Sequence, residues 1–177
     1  MPGDKFEDSK INTMIRVNHA GEYAAKRIYE GQLRYIKGKK SKAQIEEMAK
    51  GEEKHLAYFE EELRDKKARP TLLFPLVDKL SYALGAVTAV LGKEAAMVCT
   101  SSVEDVIAQH YKEQMNLLGD DKKHAMLKSK IAEFREEELE HKDIADQYDL
   151  AKAPAYKALS AVIKGGCRAA IKIVKYL

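Results

Sequence analysis

Apolar residues recur along this chain at intervals of three and four, with no strand-like alternation. That spacing gathers them on one face of a helix. A first helix is predicted from about Ile11 to Lys37, stopping at Gly38. Ser41 to Gln44 reads as a capping box that opens a second helix, which continues to the Arg69-Pro70 break. An apolar segment, TLLFPLVDKLSYALGAVTAVL, covers residues 71–91. Further helices are expected over Lys93–Leu118 and Asp121–Tyr148. A last one runs to the C-terminus with Pro154 in its first turn. The prediction is an all-α fold: one domain over residues 11–177, preceded by a flexible tail of residues 1–10.

Following the inward line of each helix uncovers an anomaly. In the 121–148 helix, Leu127, Ile131 and Phe134 are continued by Glu138, His141, Ala145 and Tyr148. In the second helix the line is Ile45, Met48, Glu52, His55 and Phe59. Each contains Glu-x-x-His, and three residues advance about 300°, so the two side chains share a face one turn apart. The other two helices each put a lone glutamate on an apolar line. Glu22 lies among Ile11, Ile15, Asn18, Ala25 and Tyr29; Glu104 lies among Met97, Ile107, Tyr111 and Leu118. Glu22, Tyr29 and Gln32 keep the same offsets as Glu104, Tyr111 and Gln114. The chain therefore holds two copies of one unit, about residues 11–67 and 93–148.

One Glu-x-x-His in a glutamate-rich chain means little. Glu53, Glu60, Glu61, Glu136 and Glu140 fall off the inward lines and are expected in solvent. Two such motifs, each preceded by a helix with an inward glutamate, are a different matter. Packed as a four-helix bundle they form the ligand set of a carboxylate-bridged dinuclear centre: Glu22, Glu52, His55, Glu104, Glu138 and His141. Four buried carboxylates repel one another and are costly to desolvate. Two divalent cations balance them. Carboxylate and imidazole donors suit iron or manganese, and oxygen chemistry favours iron. Glu52 and Glu138 are expected to bridge, with Glu22 and Glu104 terminal and one histidine on each metal.

Tyr29 and Tyr111 lie two turns from the glutamates on the same lines. Two readings stay open: core aromatics with satisfied hydroxyls, or gating and proton or electron delivery, with Tyr111 the candidate catalytic side chain. Asp105 and Asp143 are expected to be ordinary surface acids rather than partners of the histidines. His19, His110 and His124 are off the ligand pattern, with His110 beside Tyr111 a candidate neighbour of the pocket.

Composition adds two points. Hydrophobic content is 45% and charged content 33%, which fits a helical protein with a core and excludes a disordered chain. Cys99 and Cys167 form no C-x-x-C pair, so neither a disulfide framework nor a thiolate metal site is expected. MPGDKFEDSK, at the start, has neither the apolar run of a secretory signal nor the arginines of a transit peptide.

Charge is uneven. The net charge is +3, yet after Asp149 there are only cations: Lys152, Lys157, Lys164, Arg168, Lys172 and Lys175. An anionic surface is the expected partner. The 71–91 segment is almost long enough to span a bilayer, but Pro75, Asp78 and Lys79 favour a helix lying in the interface. The alternative is a buried interface in a homo-oligomer. The two extra helices, 71–91 and 154–177, are thus expected to associate with a membrane.

RVNHAGEYAAKRIYEGQL, EEKHL, RPTLLFPL, ALGAVTAVLGKEAAMVCT, VEDVIAQHY and FREEELEHKDIA resemble the demethoxyubiquinone hydroxylase family from about Ile11 to the end. The resemblance implies a ferritin-like bundle holding two Fe, with ligands on Glu22, Glu52, His55, Glu104, Glu138 and His141. It implies an O2-dependent monooxygenase that hydroxylates the ring of a polyprenyl demethoxyubiquinone in ubiquinone biosynthesis, with NADH supplying electrons. It also implies peripheral attachment to a membrane. That would be the cytoplasmic face of a bacterial inner membrane, or the matrix side of the mitochondrial one if a transit peptide has been removed. Eukaryotic members work with a lipid-binding partner protein. The alternatives are an iron-storing ferritin-like protein and a di-iron hydroxylase of tRNA, each of which leaves the apolar 71–91 segment unexplained, and a peroxide-detoxifying protein, which would usually carry a C-x-x-C module absent here. No nucleic-acid partner is expected.

Overall fold

The computed structural model describes residues 2–177, with side chains from Ser9 onward. Six α-helices account for the fold: α1 Pro2–Tyr35, α2 Lys39–Asp65, α3 Phe74–Leu91, α4 Lys93–Leu118, α5 Ala125–Asp146 and α6 Tyr156–Val174. Single 3-10 turns lie at Lys122–His124 and Leu150–Lys152, and there is no strand among the described residues.

The helix faces follow the inward lines, while several ends differ. α1 begins at Pro2, ahead of the expected start at Ile11. Ser41 and Gln44 do not cap α2. Gly38 at φ 99° reverses the chain so sharply that Lys39 is already helical, and no side chain caps that end. Ser41 and Gln44 lie within the first turns and meet the Tyr148 hydroxyl instead. The Asp121 side chain accepts from the Lys123 amide and caps a 3-10 turn, which delays α5 to Ala125. Pro154 stays outside α6, because Ala155 between them is left-handed at φ 48°.

Two apolar layers, each fed by α1, α2, α4 and α5, fix the topology. One contains Ile11 and Ile15, Phe59 and Leu63, Tyr111 and Leu118, and Leu127, Ile131 and Phe134. The other contains Tyr29, Ile45 and Met48, Met97, and Ala145. The order of these residues makes α1 parallel to α5 and antiparallel to α2 and α4. Since α2 and α4 point the same way, the chain must return along the bundle between them. Helix α3, 18 residues and about 27 Å long, makes that return.

α3 lies lengthwise on α1, and glycine permits the close approach. A Cβ on Gly85 would fall 1.9 Å from the Ile28 carbonyl oxygen, and one on Gly31 would fall 2.2 Å from that of Tyr82. Asp78, the acid of α3, is tied to α1 by Arg27 Nε at 2.8 Å and the Tyr23 hydroxyl at 2.6 Å. α6 lies on α4, with Ile163 against Cys99 and Val103 and the Lys164 ammonium 2.7 Å from Asp105. α3 is long and apolar enough to cross a membrane by length and composition. It leaves Leu76, Leu80, Val87 and Val90 exposed, and α6 leaves Val162 and Ile173 exposed.

Candidate metal centre

Glu22, Glu52, His55, Glu104, Glu138 and His141 are all buried, between the two apolar layers. α1 and α4 each bring one glutamate to the middle of the bundle; α2 and α5 each bring a Glu-His pair, one turn apart. Potential ligand atoms of Glu22, Glu52, His55 and Glu138 lie within 4.8 Å of one another, and so do those of Glu52, Glu104, Glu138 and His141. Glu52 and Glu138 belong to both groups. Each histidine aims Nδ1 inward: His55 Nδ1 is 3.0 Å from Glu138 and 3.3 Å from Glu22, and His141 Nδ1 is 3.1 Å from Glu52.

The ionisation of this cluster reflects burial and carboxylates crowded together. Burial, and then the charges of Glu138 and Glu22, push the Glu52 carboxyl well above the usual range. Burial, Glu138 and Glu52 do the same to Glu104. Burial alone would raise Glu138, yet the neighbouring His141 ring and the hydrogen bond from His55 hold it down at about 2. His55 is lowered by burial but pushed up to about 12 by its hydrogen bond to Glu138 and the nearby Glu22 carboxylate. Protons thus do poorly a job suited to a stronger cation. Both Glu52 carboxylate oxygens, one oxygen each of Glu22, Glu104 and Glu138, and His141 Nδ1 are buried without a hydrogen-bond partner. Native cores almost always satisfy such atoms. Here they face one another in two groups that share Glu52 and Glu138, a donor set that fits a pair of metal ions. The donors are carboxylate oxygens and imidazole nitrogens only; Cys99 and Cys167 stand outside both groups.

Three further contacts complete the picture. Tyr29 donates to Glu104 at 2.5 Å, and Tyr111 donates to Glu22. Each tyrosine therefore anchors the glutamate of the other repeat, an arrangement invisible along a single helix line. Glu137, placed in the surface acid run by its sequence, reaches His55 Nε2 at 2.8 Å. Asp105 and Asp143 do not contact the histidines; Asp105 pairs with Lys164. Glu53, Glu60, Glu61, Glu136 and Glu140 are exposed.

The remaining histidines are elsewhere. His19 stacks on Phe74, and His124 ends up in the 3-10 turn. His110 lines a cavity of about 630 Å³ with Ile11, Val17, Leu118 and Lys175 at one end of the bundle. Its Nε2 is 2.8 Å from Gln114, which forms a reciprocal amide pair with Asn18.

The sequence that builds this bundle has close relatives among known proteins. The family model of the ubiquinone biosynthesis protein COQ7 covers residues 9–174. The chain belongs to the COQ7 family. All six buried donors, both tyrosines and Glu137 lie within the matched stretch. The 3-demethoxyubiquinol 3-hydroxylase of Rhodospirillum rubrum is 46% identical over 173 residues, which cover 97% of this chain and 80% of the relative. The NADPH-dependent 3-demethoxyubiquinone 3-hydroxylase, mitochondrial, of Homo sapiens is 44% identical over 98% of this chain and 81% of its own. The 5-demethoxyubiquinone hydroxylase, mitochondrial, of Saccharomyces cerevisiae is 35% identical over 91% and 76%. The resemblance read from the motifs and the COQ7 match name the same family.

Proposed function

We propose that this COQ7-family chain is a demethoxyubiquinone hydroxylase, an oxygenase that adds one hydroxyl to the quinone ring. The observation that carries the reading is the ring of buried, unpartnered carboxylate oxygens at the bundle's centre. It is supported by the names of the bacterial, human and yeast relatives. Glu22 and His55 would hold one iron and Glu104 and His141 the other, with Glu52 and Glu138 common to both. When bound, the two irons supply the activation of O2, which protein side chains do not provide.

The chain's own residues do the rest. Tyr29 and Tyr111 anchor the two outer glutamates by hydrogen bonds, which keeps those carboxylates from rotating. The layers around Ile15, Phe59 and Ile131 on one side and Ile45, Met48 and Met97 on the other exclude water from the centre. One oxygen atom goes to the ring and the other leaves as water, at the expense of two electrons and two protons. Those electrons come from NADH or NADPH.

The substrate's polyprenyl tail is insoluble in water. The exposed Leu76, Leu80, Val87 and Val90 of α3, with Val162 and Ile173 of α6, would seat the protein on the membrane that holds it. The lysines of α6 would then meet anionic headgroups. The face would be cytoplasmic in a bacterium and matrix-side in a mitochondrion.

Turnover tests this directly. Protein loaded with ferrous iron is given O2, NADH or NADPH, and a demethoxy-quinone in lipid vesicles, and the hydroxylated product is measured. Product is expected from the unaltered chain. Glu52→Ala or Glu138→Ala should abolish it and reduce bound iron. Product formation at the unaltered rate in either variant would refute the assignment.

A further inference from the structure

The two histidines of the centre are supported differently. In each repeat, the residue just before the shared glutamate faces the histidine of the other repeat. In α5 that residue is Glu137, whose Oε2 lies 2.8 Å from His55 Nε2. In α2 it is Gly51, where a Cβ would come within 3.1 Å of both Cε1 and Nε2 of His141. Among the described residues, no carboxylate accepts a hydrogen bond from His141 Nε2. The repeat thus carries an acid at this position in one half and no side chain at all in the other.

We infer that Glu137 makes the two metal positions inequivalent, by orienting and charging His55 while His141 goes without. Its carboxylate accepts the Nε2 hydrogen, which leaves the Nδ1 lone pair directed at the cluster. Phe134 lies against the same ring, with centroids 4.1 Å apart, and limits its rotation. The side chain of Glu137 is 36% exposed, whereas that of His55 is fully buried. The acid therefore sits at the solvent edge of the site and still reaches the ring. A carboxylate behind an imidazole makes it a stronger donor. The position held by Glu22 and His55 therefore binds its cation more tightly than the one held by Glu104 and His141. His141 tolerates the lack of such support because Gly51 leaves its ring room. This inference rests on the two-metal reading above and adds an order to it: the Glu22–His55 position fills first and empties last.

The test is an anaerobic titration of metal-free protein with ferrous iron, followed by Mössbauer spectra of protein loaded with iron-57. The unaltered chain should bind in two steps of unequal affinity and give two distinct quadrupole doublets. Glu137→Ala should weaken the tighter step by roughly 10–100-fold, the usual effect of losing such a partner, and draw the two steps together. Glu137→Gln, which keeps an acceptor without the charge, should fall between, with helix content unchanged. Glu140→Gln, an exposed acid one turn away, should titrate like the unaltered chain. Two equivalent steps in the unaltered chain, or both steps unmoved by Glu137→Ala, would overturn the inference and leave the two-metal reading standing. No iron bound by the unaltered chain would overturn both.

Discussion

Single side chains in the centre carry opposing pressures, and the balance can be read through pH. His55 is pushed up to about 12 from an ordinary 6.5, so its contribution to metal-free stability is full below 6.5 and is lost as pH climbs toward 12. Glu52 and Glu104 are also pushed up, so theirs too is lost as pH rises through the raised values. Glu138, held at about 2 against an ordinary 4.5, works in the opposite window: its contribution is present above 4.5 and lost as pH falls toward 2. From 6.5 upward the direction is therefore single. Metal-free protein should melt at steadily lower temperature as pH rises above 6.5. Bound cations favour the ionised acids, so the Tm difference between loaded and metal-free protein should widen over the same range. Melting curves of both forms across that range decide it; a difference that stays constant or narrows would contradict this view of the cluster.

At the scale of helices, faces were legible in the sequence and ends were not. The inward lines, such as Ile45, Met48, Glu52, His55 and Phe59 on α2, are buried as periodicity predicts, with Ile107 and Tyr148 half-buried. Helix ends depend on partners that no local pattern contains. Ser41 was claimed by Tyr148 of another element, and Gly38 gave α2 an earlier start than its capping signal. Glu137 was hidden for a related reason: in a run of acids nothing marks the one that turns inward, except its equivalence to Gly51 in the other repeat. The packing of α3 on α1 was equally silent, because a glycine in an apolar segment does not announce which backbone will touch it. It can be tested. Gly85→Ala places a methyl against the Ile28 carbonyl and should cost about 1–3 kcal/mol, as overpacking does. Gly166→Ala, on the open side of α6 with nothing within 4 Å, should instead stabilise by roughly 0.4–1 kcal/mol. Urea denaturation of the two variants compares them, and equal effects would argue against the close crossing of α1 and α3.

The whole molecule is two helix pairs, α1–α2 and α4–α5, each followed by one further helix. α3 and α6 cover the side formed by α1 and α4, which leaves α2 and α5, with Glu53, Glu60, Glu61, Glu136 and Glu140, facing outward. The exposed apolar residues of α3 and α6 lie on the covered side, beside the cations of α6. Between the two sides sits the cluster on which the functional account depends. Its residues could be named from the sequence because the same donors appear twice at matching offsets. The cross-bonds from Tyr29 and Tyr111 could not, since they join one repeat to the other. Metal stoichiometry tests the central claim most directly. Freshly reduced, metal-free protein is titrated with ferrous iron without oxygen, and bound iron per chain is counted beside Glu52→Ala. The account predicts that binding saturates at two irons per chain and that the variant loses at least one. Saturation at none, or two irons bound equally well by the variant, would contradict it.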